Sequence, residues 1–335
     1  MSEAAISFPM LGEGFSLDFP TYFTVFGWRV HWYGVIIAVG FVLAVLYGIK
    51  RAPRFGLKDD DVYDMLVWAV PLAVICARLY YVVFFRDSAG NNPYFDGRND
   101  LKEIVAIWEG GLAIYGGVIG GAAGVLLSMR RKRRKTRPML DVGGLGLLIG
   151  QAVGRWGNFV NREAFGAETT LPWRMGLSGA WGTAYYHPTF LYESLWNLLG
   201  LLLLHLYTKK RRFDGQIFLM YLGWYGLGRA FIEALRTDSL YLGGTGLRVS
   251  QLLGAAAFAV SAGILLYVLL VRRPDPGKMF VNSAAAEAGA EINGGSEESG
   301  DARGEKPEAD RGASEENETE NAERTMQSGK GEQNG

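Results

Sequence analysis

The chain has 335 residues, of which 49% are hydrophobic and 20% are charged, and its formal net charge is zero. Apolar runs long enough to cross about 30 Å of hydrocarbon recur between residues 31 and 271, which excludes an ordinary soluble globular fold. The single cysteine, Cys76, excludes an internal disulfide, and three scattered histidines do not complete a metal-binding set. We therefore expect neither a metal nor any other cofactor.

The zero net charge hides two regions of opposite sign. From residue 279 onward there are 14 acidic and 5 basic residues, which leaves 20 acidic and 29 basic residues before it. Residues 274–335 are rich in Glu, Gly, Ser and Asn and have almost no aromatic residues. Such a composition cannot bury enough apolar surface to fold, so we expect a disordered acidic tail.

Aromatic side chains are spread through residues 1–30, which predicts an extracytoplasmic segment along the membrane surface. Residues 31–273 are predicted to form the seven-helix membrane domain of an all-α polytopic membrane protein. A longer polar stretch between the fourth and fifth helices predicts a small extracytoplasmic region. The predicted transmembrane helices cover residues 31–49, 62–85, 111–129, 138–153, 189–207, 215–235 and 249–271.

Basic clusters follow the first, third, fifth and seventh predicted helices, and residues 130–137 alone contain seven basic side chains. The alternate loops carry only scattered arginines mixed with acids. By the positive-inside rule, the N-terminus lies outside and the C-terminus in the cytoplasm. Glycines recur every fourth residue at Gly116, Gly120 and Gly124, which predicts close helix packing in lipid. Asp214 is expected to cap the sixth helix.

Residues 154–166 form an unusually polar end to the fourth predicted helix. Arginine is costly at hydrocarbon depth, so Arg155 indicates a functional site. Counting about 1.5 Å per residue from the basic end of each helix places six polar side chains, one from each of six helices, at one level. That level is roughly 22 to 27 Å up, just below the outer surface. The six are Tyr33, Arg78, Tyr115, Arg155, Glu193 and Arg229.

On the sixth helix, Arg229, Glu233 and Arg236 are spaced i, i+4, i+7 and share one face. On the fourth, Arg155 and Asn158 share a face, together with Arg162 if the helix continues that far. These charges could simply pair with each other between helices. The excess of arginines and their alignment with tyrosines instead favour a pocket for a lipid phosphate.

Two other classes of protein compete with this interpretation. An anion transporter or channel could be lined by Arg78, Arg155 and Arg229, although few charges lie in the inner half of the helices to continue such a path. A seven-helix receptor is supported only by the number of helices and their orientation, which is weak evidence for function.

The motif Gly-Arg-Trp-Gly-Asn-Phe-Val-Asn-Arg-Glu at residues 154–163 resembles the signature of the prolipoprotein diacylglyceryl transferases, bacterial enzymes that lipidate the lipobox cysteine of secreted lipoprotein precursors. Further family motifs occur in the same order and span most of residues 30–255. They are His-Trp-Tyr-Gly at 31–34, Trp-Glu-Gly-Gly at 108–111, Gly-Gly at 116–117, the region 187–193, and Gly226 with Arg229, Glu233 and Arg236.

The resemblance implies that a diacylglyceryl group moves from phosphatidylglycerol to the cysteine thiol, which forms a thioether and releases glycerol phosphate. The implied partners are phosphatidylglycerol, prolipoprotein signal peptides with a lipobox cysteine, and the lipid bilayer. No cofactor, metal or nucleic acid is implied. The implied location is the bacterial cytoplasmic membrane, with the active site towards the extracytoplasmic face.

The depth count and the resemblance together predict the site residues. The predicted catalytic residues are Arg155, Arg229, Tyr115, Asn158 and Glu233. The predicted residues for phosphatidylglycerol binding are Arg155, Tyr33, Arg78, Asn158, Asn161, Glu163, Gly166, Glu193 and Arg236.

Tyr115 is a departure from the family, because many members have histidine at this position. A phenol with a reference pKa of about 10 is a poor base at neutral pH. The thiol must still lose its proton before it attacks. The acceptor stays open between Glu233, Glu163, His31 and the lipid phosphate, unless the arginines lower the thiol pKa sufficiently by themselves.

Overall fold

The structure is a computed structural model that describes residues 5–12, 14–87, 89–96, 101–179, 182–242 and 245–283. Within these residues, a long helix lies at each of the seven predicted positions, and one short helix, α3, precedes the third of them. The helices are α1 Trp32–Arg51, α2 Asp59–Phe84, α3 Leu101–Val105, α4 Ile114–Arg131, α5 Thr136–Asn161, α6 Thr189–Tyr207, α7 Gln216–Ile232 and α8 Val249–Leu266.

Four helical stretches in the described residues are long and apolar enough to cross a membrane, as judged by length and composition. They are Trp32–Phe55, Asp59–Phe84, Thr189–Lys210 and Val249–Arg272. The chain is therefore a polytopic helical membrane protein. The number of seven transmembrane helices and their orientation stay predictions.

α5 is longer than the sequence predicted. The apolar run ends at residue 153, but the helix continues through the polar motif to Asn161 and ends because Arg162 adopts a left-handed conformation with φ of 55°. A left-handed residue directly after a helix is a common way to stop it. Arg155 and Asn158 are consequently helical residues, whereas Arg162 leaves the helix.

The fold is mostly helical rather than all-α, because residues 1–30 and 175–186 contain strands. The strands are β1 Ala5–Ser7, β2 Ser16–Leu17, β3 Tyr22–Val25, β4 Trp28–His31, β5 Met175–Gly179 and β6 Gly182–Tyr186. Strands β2, β1, β5 and β6 form one antiparallel sheet in that order, and β3 and β4 form a hairpin. The region between α5 and α6 thus folds together with the N-terminal segment.

The glycines on α4 let it lie directly against α2. A Cβ atom at Gly116 would collide with the carbonyl oxygen of Cys76, and one at Gly120 would collide with that of Leu72. This contact confirms the close packing predicted from the glycine spacing. The other main contacts join α1 to α5, α5 to α6 and α7, and α7 to α8. α5 is therefore central, and α2 and α4 form a pair to one side of it.

Two apolar clusters mark the two ends of the helices. Ile6, Met175 and Phe190 form a small buried cluster, with Phe159 of α5 packed against it, so the sheet is fixed to the ends of α5 and α6. We call this the sheet end. The larger cluster, which includes Phe55, lies at the opposite end, where the basic loops are; we call it the basic end.

The first turn of α7 at the basic end is capped from another helix. Asp141 of α5 accepts hydrogen bonds from the backbone N–H groups of Gly215 and Phe218, both at 2.8 Å. The prediction that Asp214 caps this helix is wrong, because its carboxylate accepts a hydrogen bond from the backbone N–H of Phe280 instead. Phe280 is buried in the larger cluster. The rest of the predicted tail, residues 284–335, lies outside the described residues.

Candidate active site

Glu193, a buried residue on α6, joins three arginines at the sheet end. Its Oε2 atom lies 2.8 Å from Nε of Arg155 on α5, and its Oε1 atom lies 2.8 Å from Nη1 of Arg229 on α7. Nη1 of Arg236, just after α7, lies 3.7 Å from the same Oε1 atom. The inter-helix pairing that the sequence left open as an alternative does occur, and it gathers the arginines around one carboxylate.

A second buried carboxylate supports this cluster from α7 itself. Glu233 is only 1% exposed, and its Oε2 atom lies 2.6 Å from Nη2 of Arg229, one helical turn earlier. Arg236 donates two hydrogen bonds to Asp238, at 2.9 and 2.7 Å. Asp238 had no predicted role, and it pairs with Arg236 because both lie beyond the end of α7. Buried ion pairs contribute little net stability, so a cluster of this kind points to function.

The polar face of α5 extends the cluster along the signature. Nη1 of Arg155 donates to Oδ1 of Asn158 at 3.3 Å, and Nδ2 of Asn158 donates to Oε1 of Glu163 at 2.9 Å. Asn161 donates to the same Glu163 oxygen at 3.3 Å. Arg155 and Asn158 thus share one face of α5, as their spacing predicted, and Asn161 and Glu163 join them through these hydrogen bonds.

Two aromatic residues fix this part of α5 in place. The Trp156 indole donates to the hydroxyl of Ser194 at 3.2 Å, and Ser194 in turn donates to the carbonyl of Ala152 at 2.9 Å. The rings of Phe159 and Phe190 lie 4.7 Å apart. Neither Trp156 nor Ser194 had a predicted role, although Ser194 directly follows Glu193. These contacts hold the Arg155 face of α5 against the Glu193 face of α6.

Tyr33 and Gly166 each take part in a close contact next to the cluster, and each contact leaves no room for a side chain on a glycine. A Cβ atom at Gly157 would lie 2.7 Å from the Tyr33 ring, so the ring packs directly on the α5 backbone within the signature. A Cβ at Gly166 would lie 2.7 Å from Cβ of His187 and 2.9 Å from the carbonyl oxygen of Leu235. Only glycine fits there, and its position holds the loop after α5 against the end of α7.

Arg78 lies in a different environment. It is buried on α2 and donates hydrogen bonds to the backbone carbonyls of Glu103, Ile104, Gly110 and Gly111. Its guanidinium also lies over the rings of two tyrosines, at 5.6 and 5.7 Å from their centroids. Arg78 therefore organises the loop between α2 and α4.

Tyr115 belongs to the same side of the molecule as Arg78. It lies in the first turn of α4, is 39% exposed, and has its ring centroid 6.1 Å from that of Tyr80 on α2. No hydrogen bond or ion pair among the described residues joins Tyr115 or Arg78 to Glu193. In the described residues, the side chains at the predicted common level thus make two sets of contacts, one around Glu193 on α5, α6 and α7 and one around Arg78 on α2 and α4.

The Glu193 cluster retains donors for an additional anion. Within the described part of the chain, Nη2 of Arg155 and Nε of Arg229 make no hydrogen bond, and the two side chains are 21% and 15% exposed. Two guanidinium groups that share one carboxylate and keep free N–H groups are suited to binding phosphate oxygens. No group of three or more His, Cys, Asp or Glu in the described residues could hold a metal ion.

The sequence of the chain is similar to known proteins over most of its length. The Prolipoprotein diacylglyceryl transferase family profile matches residues 20–268. A phosphatidylglycerol–prolipoprotein diacylglyceryl transferase of Limosilactobacillus reuteri (strain DSM 20016) is 45% identical over 254 residues, which cover 73% of this chain and 87% of that protein. Enzymes of the same name from Lactiplantibacillus plantarum and Enterococcus faecalis are 44% and 42% identical, and the alignments cover 71% and 78% of this chain and 85% and 92% of theirs. The chain therefore belongs to the prolipoprotein diacylglyceryl transferase family.

Proposed function

We propose that this chain transfers a diacylglyceryl group from phosphatidylglycerol to the lipobox cysteine of prolipoprotein signal peptides. The observation that carries the proposal is the pair of guanidinium groups, Arg155 and Arg229, held 2.8 Å from opposite oxygens of buried Glu193. Its relatives bear the name of this activity, and the names state both the lipid and the protein substrate.

The reaction forms a C–S bond, breaks a C–O bond and transfers the thiol proton to an acceptor. The cysteine sulfur attacks the lipid glycerol carbon that carries the phosphate, and a C–S bond forms as the C–O bond breaks. Glycerol phosphate leaves with the electron pair of that bond, and the thiol proton is released. Negative charge grows on the leaving phosphate, so donors already aimed at it stabilise the transition state. Arg155 and Arg229 supply those donors.

Glu193 acts as a positioning residue in this mechanism. It fixes two long, flexible side chains before the lipid arrives, so they need not reorganise during the reaction. Asn158 also holds Arg155, because its side-chain oxygen accepts a hydrogen bond from the guanidinium at 3.3 Å. Tyr33, Gly166, Asn161, Glu163 and Arg236 surround the same cluster and complete the proposed phosphatidylglycerol site.

The exposure and the ion pairs of the candidate residues reduce the choice of acceptors for the thiol proton. Glu233 is 1% exposed and lies against Arg229, which favours a positioning role over direct contact with a thiol. Tyr115 has no hydrogen bond or ion pair to the cluster in the described residues. Glu163 is exposed and uses only Oε1 in its hydrogen bonds to Asn158 and Asn161. We favour Glu163 or a phosphate oxygen as the acceptor.

The proposed setting is the bacterial cytoplasmic membrane, with seven transmembrane helices, the N-terminus outside and the C-terminus in the cytoplasm. The sheet end then faces outward, and the lipid comes from the outer leaflet. The basic loops at the opposite end support this orientation. In this arrangement residues 1–30 and the region between α5 and α6 are extracytoplasmic, and the acidic tail is cytoplasmic.

An anion pathway lined by Arg78, Arg155 and Arg229 finds little support in these contacts. Arg78 uses its donors on four backbone carbonyls of the loop between α2 and α4. It shares no partner with Arg155 or Arg229 in the described residues. A continuous row of available arginines is therefore lacking among them.

The test is turnover of a lipobox peptide by the purified protein in bilayers that contain phosphatidylglycerol. We expect a thioether-linked diacylglyceryl peptide and free glycerol phosphate. Arg155→Ala and Arg229→Ala should each lower the rate by at least about 100-fold, the usual effect of removing one oxyanion donor. Arg86→Ala, which removes an exposed arginine that donates only to nearby backbone carbonyls, is the matched control and should keep the wild-type rate.

Full activity in both the Arg155 and Arg229 variants would remove their proposed role. If the protein conducted anions across proteoliposome membranes but did not turn over the peptide, the transporter hypothesis would replace the transferase hypothesis.

A further inference from the structure

A small cationic cavity lies at the basic end, away from the Glu193 cluster. Its volume is about 210 Å³. It is formed by the turn after α1, the turn after α6 and the segment that follows α8. Three basic residues line it together with Thr208, and they are Arg54, Lys209 and Arg211.

Close packing holds the walls of this cavity together. Gly56 follows the turn after α1 and has a φ of 77°, and a Cβ atom there would lie only 2.7 Å from Cα of Val281, which lines the cavity. The neighbouring Phe280 is buried in the same apolar cluster as Phe55. The segment after α8 is therefore packed against the turn after α1, and the cavity is a regular part of the fold.

Arg211 is the buried cation of the cavity. It is only 6% exposed, its guanidinium lies 4.1 Å from the centroid of the Phe55 ring, and its Nη2 atom donates to the carbonyl of Arg54 at 3.0 Å. Its Nη1 atom has no hydrogen-bond partner in the described residues. Oδ2 of Asp141 lies 3.7 Å from this atom, too far for a hydrogen bond, and already accepts one from the backbone N–H of Gly215. A buried donor without an acceptor costs free energy, which a bound anion would recover.

The surrounding side chains add positive charge and no acid. Arg51 is also buried, donates to the hydroxyl of Thr208 at 2.7 Å, and has an Nε atom without a hydrogen-bond partner in the described residues. Arg54 and Lys209 are exposed and form no ion pair within the described part of the chain. The described residues that line the cavity include no carboxylate. Positive charges gathered in this way repel each other and favour an anionic ligand.

The cavity lies at the ends of two helical stretches that are long and apolar enough to cross a membrane. Trp32–Phe55 ends with two residues of its wall, and Thr189–Lys210 ends with Thr208 and Lys209 in another wall. Lipid headgroups lie where such stretches leave the hydrocarbon. Basic pockets between membrane helices are known to bind phospholipid headgroups. The level of the cavity therefore suits a phosphate ligand.

We propose that this cavity binds a phosphate group, with Arg211 as its buried ligand and with Arg54 and Lys209 as exposed donors. Guanidinium groups match phosphate oxygens in geometry, and the additional cations balance the phosphate charge. The phosphate belongs either to a phospholipid headgroup of the adjacent leaflet or to a free phosphate in solution. The site is separate from the Glu193 cluster, and the proposal does not depend on the proposed reaction.

Two binding measurements on the full-length protein, purified in a maltoside detergent, test the proposal and distinguish the two sources. Native mass spectrometry counts the phospholipids that each molecule retains. Equilibrium dialysis with radiolabelled inorganic phosphate gives the Kd for free phosphate. The Glu193 cluster is the same in every variant compared, so any lipid held there does not change the comparison.

The variant with both Arg54→Gln and Lys209→Gln removes two exposed charges of the cavity and leaves the contacts of buried Arg211 unchanged. We expect it to retain one phospholipid fewer than wild type if the source is lipid. If the source is free phosphate, its Kd should be at least about tenfold higher, since each basic side chain contributes about 1 kcal/mol to such binding. The matched control, Lys50→Gln with Arg130→Gln, removes one lysine and one arginine at exposed positions of the same end that do not line the cavity. It should behave like wild type in both measurements.

A change in the lipid count would assign the phosphate to a phospholipid, and a change in the Kd alone would assign it to free phosphate. If the cavity variant matched wild type in both measurements, no phosphate would be bound there and the proposal would be wrong. Equal losses in the cavity variant and in the control would show binding by surface charge in general, which would also overturn the proposal.

Discussion

Two groups of arginine at the sheet end, one around buried Arg78 and one around partly buried Arg155 and Arg229, differ in what holds the guanidinium. Arg78 donates to neutral backbone carbonyls, which use four of its five N–H groups. Arg155 and Arg229 are held by the Glu193 carboxylate and keep free donors. The first arrangement organises a loop, and the second is prepared for an additional anion. A buried arginine in a membrane helix is therefore not sufficient evidence for a phosphate site.

The loop around Arg78 explains a family motif in structural terms. Gly110 and Gly111 have φ values of 91° and 70°, a left-handed conformation that residues with side chains rarely adopt. Two successive glycines in this conformation turn both carbonyls towards the Arg78 guanidinium, at 2.7 and 3.0 Å. The Trp-Glu-Gly-Gly motif therefore builds the site that holds Arg78.

Glu193→Gln should have the largest effect, because it removes the carboxylate that three arginines share. Loss of a partner from a buried ion pair typically costs about 3 to 5 kcal/mol. We expect a clearly lower melting temperature in detergent and a turnover rate reduced by at least about 100-fold, since Arg155 and Arg229 lose their alignment. Glu168→Gln, at an exposed position, is the control. Wild-type turnover in Glu193→Gln would remove the positioning role of Glu193.

The variant Arg78→Lys tests whether the two arginine groups have different roles. Lysine cannot reproduce the planar fork of N–H groups, so several carbonyls of the loop lose their donor. We expect a loss of about 2 to 3 kcal/mol of stability, measured by thermal unfolding, with turnover per folded molecule within about threefold of wild type. Arg86→Lys should change neither property. If turnover fell by 100-fold while the melting temperature stayed constant, Arg78 would instead belong to the phosphate site.

The positions of the helices could be predicted well from apolar runs. The predicted fifth helix, residues 189–207, has the same bounds as α6, Thr189–Tyr207. The last turns of α5 were missed because apolar length was the only criterion, and the added turns are polar. The sheet was missed because its strands have only two to five residues. It also joins residues 5–17 to residues 175–186, and local sequence patterns do not reveal a pairing between segments so far apart in the chain.

The site could be predicted only in part, because depth along a helix gives height but not position around the bundle. The depth count placed Arg78 and Tyr115 at the level of Arg155. Their contacts in the described residues are with aromatic rings of α2 and with the loop between α2 and α4, and none is with Glu193 or its arginines. The pairing of Glu193 with arginines on both α5 and α7 required the packing of three helices, which no spacing within one helix reveals.

Tyr115→Phe tests a smaller difference between the two groups. Since the described contacts of Tyr115 are with the Tyr80 ring and none joins its hydroxyl to Glu193 or its arginines, we expect turnover within about twofold of wild type. A group that transfers a proton in the transition state usually contributes about 100-fold or more. If turnover fell by that factor, the Tyr115 hydroxyl would be the proton acceptor, in place of Glu163 or the phosphate.

Asp238→Asn should have the smallest effect, and its pH dependence shows why. The hydrogen bonds from Arg236 hold the pKa of the Asp238 carboxyl below its ordinary value. The stability from this pair is therefore present above the unfolded pKa of about 3.9 and is lost as the pH falls through the lower folded pKa. Half of the side chain is exposed, so the pair contributes at most about 1 kcal/mol. In thermal unfolding, the melting temperature of Asp238→Asn should be slightly below that of wild type at pH 7 and equal to it in acid. The melting temperature of the control, Asp18→Asn, should match that of wild type at every pH. A difference that persisted in acid would show that Asp238 supports Arg236 by packing rather than by charge.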